Sequence, residues 1–372
     1  MTETARPDGT SVPSAVVPGI GAALSLVTLI ALLVPVQRGL EDPAIWAALT
    51  LTGVATLAFL VGVHDDVDHR IGGGIALSSS VGVLLLVGYA MNQGHAVPVP
   101  LDPLPVSFPL LFGAFVTAGL GIGLGAASYA DVDPVGLLVR SGYTAGMMGV
   151  GVVGLFSIEV VLVLLVIPII LLFGSLSLAQ AVALSQLGMA VGTGTVAVAY
   201  LVFRGYDLSY IDVRLPTKRD VLWTVGGVLV IFGALFAISA VFYTTGVESS
   251  DHGTAQQAQE NPEILLILIP ASLLVIGPFE ELLYRNVIQK ALYAPFSRFG
   301  AVVVGSVIFA IVHTQAYWTA GTGELVASLA VVFGLSIVLG VIYERTENLV
   351  VPALIHGVYN AILFTNLYLG YA

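Results

Sequence analysis

Residues 150–173 read VGVVGLFSIEVVLVLLVIPIILLF, an apolar run broken by a single ionisable side chain, Glu159. An α-helix rises 1.5 Å per residue, and about 20 apolar residues cross the ~30 Å hydrocarbon core of a bilayer. The run is continuous rather than alternating, which predicts a helix and not a barrel strand. Ten further stretches read the same way, at 16–36, 44–63, 71–90, 110–130, 178–203, 221–243, 264–283, 300–318, 325–343 and 349–369. The expected fold is therefore an all-α, polytopic transmembrane bundle of about eleven spans.

Composition agrees. Of 372 residues, 57% are apolar and 9% are charged, against roughly 25% charged in a soluble domain. Mean hydropathy is +0.99, too apolar for a surface solvated by water, so the expected solvent and first partner is membrane lipid. There is no Cys, which excludes disulfides, thiol catalysis and thiolate metal sites. The net charge is −11, and no basic footprint for nucleic acid exists. The first 17 residues lack the basic n-region and cleavage site of a signal peptide, so the first span is expected to be retained.

Basic residues orient the bundle, because they stay on the cytoplasmic side. With the N-terminus inside, Arg6, Arg70, Arg140, Arg204, Arg214, Lys218, Arg219, Arg285, Lys290, Arg298 and Arg345 all fall inside, and only Arg38 outside. The odd span count and a cytoplasmic N-terminus follow, in a multi-pass protein of the cell (plasma) membrane. The loop 244–262, acidic and without Lys or Arg, is then external. Chemistry is distributed unevenly. The first four spans carry no Asp, Glu, Lys, Arg or His, whereas the last four carry three polar motifs, which predicts an accessory region over 1–145 and a functional domain over 146–372.

Those motifs are Glu280-Glu281-x-x-x-Arg285, Phe309-x-x-x-His313 and His356-x-x-x-Asn360. An ionisable group inside a span is costly and marks function by default. Glu281 and Arg285 stand four apart, share a helix face and can neutralise one another. Glu280 points elsewhere and is free to face a cavity as a general base. Pro270 and Pro278 predict a break in this helix that would admit water beside Glu280. Phe309 and His313 share one face, as do His356 and Asn360. In isolation each imidazole reads more readily as interhelical hydrogen bonding than as catalysis. Together the set holds a base, two imidazoles and an amide, which is what hydrolysis of an amide within a membrane requires.

The runs Glu280-Glu281-Leu-Leu-Tyr-Arg285 and Phe309-Ala-Ile-Val-His313, with the stretch from Tyr343 through His356-Gly-Val-Tyr-Asn360, resemble the CPBP family. This is the CAAX protease and bacteriocin-processing (Abi) family, which includes the type II CAAX prenyl endopeptidases. The resemblance covers roughly 146–372, in order and approximate spacing, and nothing of it extends to the first four spans. It implies an intramembrane endopeptidase with a cavity reached from the cytoplasmic side, acting on a peptide or protein with a membrane-associated or C-terminal tail. By the same resemblance Glu280 activates water, His313 helps hold it, and His356 and Asn360 form the oxyanion hole. Glu281, Arg285 and Phe309 support them. Asn286 departs from the family, where many members have Gly.

Two versions of that chemistry stand open. Glu280, His313 and His356 make a His₂Glu set of the kind that binds catalytic zinc. The metal-free version instead uses His356 and Asn360 together as oxyanion donors. Other functions use the same residues. Glu280, His313 and His356 can form a proton or ion relay in a transporter, although the charged, proline-containing span has no counterpart in the N-terminal half. A non-catalytic membrane scaffold is the third. Either hydrolytic site also imposes a demand on depth. Glu280 lies near the inner end of the 264–283 span, whereas His313 lies about 20 Å along the next one, so the first helix must continue beyond Arg285 for the two to meet.

Three further features carry less. The cluster His64-Asp65-Asp66-x-Asp68-His69 reads as a solvated acidic loop. Gly119, Gly121, Gly123 and Gly125 lie within a span and permit close helix packing rather than dinucleotide binding. Glu159 either caps the motif cavity or faces a helix interface.

Overall fold

The computed structural model describes residues 15–64, 67–100 and 107–371. The chain divides into two compact units, Met1–Arg140 and Ser141–Ala372. It is an all-α membrane bundle, with ten helices among the described residues long and apolar enough to cross a bilayer.

The first unit holds α1 (Val16–Gln37), α2 (Pro43–Val63), α3 (His69–Asn92) and α4 (Leu110–Tyr129), with a two-stranded ribbon, β1 (Pro98–Pro100) and β2 (Ser107–Pro109), between α3 and α4. Local chemistry sets the starts. Asp42 accepts the Ala44 N–H at 2.7 Å, with Pro43 in the first turn of α2. Asp68 does the same for Arg70 N–H at α3, so one member of the acidic cluster is a helix cap. Asp65 and Asp66 lie outside the described residues. The core is formed by Val17, Ala22, Phe59, Ala76, Leu124 and Ala127. Small residues allow the backbones to approach, as the glycine run of α4 predicts. A Cβ at Gly125 would lie 2.6 Å from the Leu77 nitrogen.

The division between units falls within α5 (Pro134–Phe173), a 40-residue helix that begins well before the apolar run at 150. The second unit continues with α6 (Leu178–Arg204), α7 (Lys218–Thr245), the short α8 (Gly253–Glu260), α9 (Pro262–Leu292), α10 (Arg298–Val312), one turn α11 (Thr314–Tyr317), α12 (Thr322–Thr346) and α13 (Val350–Tyr371). Capping boxes at Ser177/Gln180 and Thr217/Asp220 start α6 and α7, and Gly205 and Gly246, both at φ 69°, end them.

Two departures from the sequence expectation matter for the site. First, α9 does not break. It runs unbroken to Leu292, and its two interior prolines, Pro270 and Pro278, are accommodated beside wider π-helical turns at Ser272–Ile276 and Leu282–Gln289 on either side of Gly277–Glu281. Such π-turns re-aim side chains without ending a helix. Second, α10 is a 15-residue helix rather than a full span, about 22 Å long. It stops where the His313 Nδ1 pairs with the Phe309 carbonyl at 2.7 Å and the backbone turns into α11.

The loop after α6 is tied down. Asp207 caps the turn Leu208–Tyr210, and the Ser209 hydroxyl and N–H hold its carboxyl below the usual range. Asp212 then receives the Lys290 ammonium at 2.8 and 2.9 Å and the Tyr343 hydroxyl at 2.6 Å, while its carbonyl accepts Leu349 N–H at 2.7 Å. This one residue joins α9, α12 and the start of α13.

Candidate active site

The site begins at a close crossing of α9 and α13. A Cβ at Gly277 would fall 2.4 Å from the Ala353 carbonyl, and one at Gly357 would fall 2.6 Å from the Ser272 carbonyl. With no side chain at either crossing point, the helices meet backbone to backbone. The next turn of α9 then brings Glu280 and Glu281 against His356. Gly277→Ala is expected to destabilise the protein by about 1–3 kcal/mol and to impair any activity that needs this alignment, as thermal unfolding and a cleavage assay would show.

The two adjacent glutamates differ sharply. Glu281 is fully buried. One of its oxygens accepts Arg285 Nε–H at 2.8 Å, and the other pairs with His356 Nδ1 at 2.9 Å. Arg285 is also fully buried and donates to the Ser336 hydroxyl at 3.0 Å. Glu280 has no hydrogen-bond partner among the described residues. Its side chain keeps 13% exposure, and its nearest charged neighbour is His356 Nε2 at 3.8 Å. The two nitrogens of His356 thus address the two carboxylates, one in a hydrogen bond and one at a distance that leaves space.

Phe309 organises the remaining groups. Arg285 lies over its ring at 5.0 Å, Tyr284 meets it edge-on at 4.9 Å, and the His313 and His356 rings lie 4.4 Å and 6.2 Å from it. The guanidinium on its face is a cation–π contact. With Nδ1 engaged by the Phe309 carbonyl, the free nitrogen of His313 is Nε2. His313 makes no hydrogen bond to Glu280 among the described residues; it lies against Phe309, whose ring also faces His356. Asn360 follows His356 by one turn of α13, half-buried and without a side-chain partner among the described residues.

Depth is consistent. Glu280 stands 12 residues before Leu292, and His313 stands 15 residues after Arg298. These are about 18 Å and 22 Å along their helices, so extension of α9 supplies the overlap that the sequence demanded.

Among the described residues no three His, Asp or Glu side chains come together as a metal-binding group. Glu159 lies on the exposed face of α5, without a hydrogen-bond or ion-pair partner among the described residues, and does not join the site.

Several participants were not foreseen. Ser336 holds Arg285, and Tyr284 packs on Phe309. Asn286 is fully buried. Its Oδ1 accepts Asp212 N–H at 2.8 Å and the Tyr343 hydroxyl at 3.1 Å, while its amide donates to the Tyr210 carbonyl at 3.3 Å. The departure from glycine is thus an anchor for the loop after α6, and its signal was the departure itself.

Fold and site together define a polytopic α-helical membrane protein with a buried Glu–Arg pair, two imidazoles and a second glutamate 3.8 Å from one of them at a helix crossing. Residues 262–362, which contain all three motifs, match the family described as type II CAAX prenyl endopeptidase Rce1-like. The similarity is to that family and covers this segment of the chain. The putative membrane peptidase YdiL of Bacillus subtilis (strain 168) is 27% identical over 143 residues, covering 38% of this chain. The chain spans about half, 54%, of the length of that relative. No solved structure matches the chain.

Proposed function

We propose that the protein is an intramembrane endopeptidase in which Glu280 activates the attacking water. The observation that carries this is the asymmetry of the glutamate pair. Glu281 is committed to Arg285 and His356, whereas Glu280 is left partly exposed, with 3.8 Å between it and His356 Nε2. Water held between Glu280 and His313 Nε2 gives a proton to Glu280 as its oxygen attacks the peptide carbonyl. The oxyanion receives hydrogen bonds from His356 Nε2–H and the Asn360 amide. In this form His356 is an imidazolium whose Nδ1–H is donated to Glu281. Glu280 then passes its proton to the departing amine nitrogen as the C–N bond breaks.

The substrate class that fits is a peptide or protein with a membrane-associated or C-terminal tail, cut near the cytoplasmic side of the cell membrane. The first four spans serve as an accessory region to the 146–372 protease domain.

The test uses full-length protein in lipid vesicles with a panel of tailed peptides. His356→Ala and Asn360→Ala should each lower kcat about 10²–10³-fold, with smaller effects on KM. Wild-type turnover by both variants would end the oxyanion assignment. Purified active protein should cleave equally well after dialysis against a chelator. Loss of activity restored by zinc would reassign Glu280, His313 and His356 as metal ligands. Glu280-dependent ion flux without cleavage of any peptide would assign the same residues to a transporter relay.

A further inference from the structure

Five buried side-chain polar atoms have no hydrogen-bond partner among the described residues, and three of them fall along one stretch of α9 and α10: Arg285 Nη2, Gln289 Oε1 and Ser306 Oγ. All three side chains are fully buried. The other polar side-chain atoms of Arg285 and Gln289 are committed. Arg285 spends Nε on Glu281 and Nη1 on Ser336. The Gln289 amide nitrogen donates to the Gly340 carbonyl at 3.0 Å and to the Tyr293 hydroxyl at 2.8 Å. A flipped amide would set oxygen against oxygen at Gly340, so Oε1 is the free atom.

The neighbourhood is shared. A Cβ at Gly305 would lie 3.5 Å from Gln289 Cβ, and Arg285 lies over Phe309. Ser306, between Gly305 and Phe309 on α10, therefore falls beside the segment of α9 that carries Arg285 and Gln289. Gly340 keeps the space open from the side of α12, because a Cβ there would come within 2.8 Å of Gln289 Oε1. One donor, one acceptor and one hydroxyl that can be either make the complement of a water molecule, and buried polar groups of native proteins are satisfied by protein or by ordered water.

We propose that Arg285 Nη2, Gln289 Oε1 and Ser306 Oγ bind a buried water behind the Glu281–His356 pair. It accepts from Arg285 and donates to Gln289. The water fixes the guanidinium that orients Glu281. It also completes a polar line, Glu281–Arg285–water–Gln289–Tyr293, from the site toward the Lys290 end of α9. The site is structural hydration, distinct from the water that Glu280 would activate, and it stands whether or not the chain cleaves peptides.

The experiment is a structure of the full-length protein in lipid at a resolution that shows ordered water, for the wild type and for Ser306→Val. The expected wild-type result is a density peak within hydrogen-bond distance of all three atoms. In Ser306→Val, whose added methyl groups occupy the space, the peak should be gone and the Arg285 or Gln289 side chain displaced. Well-ordered wild-type side chains with no peak between them, or with direct bonds to one another, would overturn the proposal. So would a peak that persists unchanged in Ser306→Val. Should the variant fail to fold, the wild-type map alone decides.

Discussion

Glu280→Gln is expected to abolish peptide cleavage, lowering kcat by at least about 10²–10⁴-fold, the span attributed to a positioned general base, with little change in stability. The substitution keeps the shape of the side chain and removes only its capacity to accept a proton. The stability expectation follows from the geometry: Glu280 has no hydrogen-bond partner among the described residues and is partly exposed, so no buried polar group loses its match. Cleavage and thermal unfolding measured on the same preparation separate the two effects. Cleavage at the wild-type rate by Glu280→Gln would sink the proposed mechanism. A variant that unfolds early would instead show that Glu280 is structural.

Arg285→Met should have the opposite profile, with its largest effect on stability. Arg285 is the largest fully buried side chain of the molecule among the described residues. Its removal leaves Glu281 without its cation beside His356. Breaking a buried ion pair from one side costs about 3–5 kcal/mol, because an uncompensated charge remains in low dielectric. Replacing both partners, as in Glu281→Gln with Arg285→Met, should recover a large part of that loss, since the isolated charge is then gone. Unfolding of the three variants in a mild detergent tests this. If the double variant is destabilised by the sum of the two single losses, the pair is not coupled as its 2.8 Å contact requires. Activity is expected to fall in each, because Glu281 is also the group that sets His356.

The contrast between these residues bears on how the site could be found. Helical phase alone separates Glu280 from Glu281, since a 100° step per residue puts only Glu281 on the face of Arg285. The same rule places Phe309 with His313 and His356 with Asn360. Where the sequence went astray, the cause is tertiary. Pro270 and Pro278 read as a break, yet α9 carries them within a continuous helix, because wider π-turns accommodate the prolines while packing on α13 holds the axis. The 300–318 span reads as one apolar helix, but His313 turns its ring nitrogen to the Phe309 carbonyl and ends it. Asn286 reads as an oddity against the family and proves to be the anchor of the loop around Asp212.

The sequence by itself determined that this chain lives in lipid, that it crosses as helices, and which three helices carry its polar groups. These follow from composition and period, which are local and additive along the chain. Only the tertiary structure decided which groups meet. Glu281 reaches both Arg285 and His356, Glu280 stays open toward His356 Nε2, and Phe309 lies among four side chains from three helices. That outcome depends on the close crossing at Gly277 and Gly357, where absent side chains let two backbones touch. No one-dimensional pattern encodes the depth or angle at which separate helices cross, because packing between distant residues sets both.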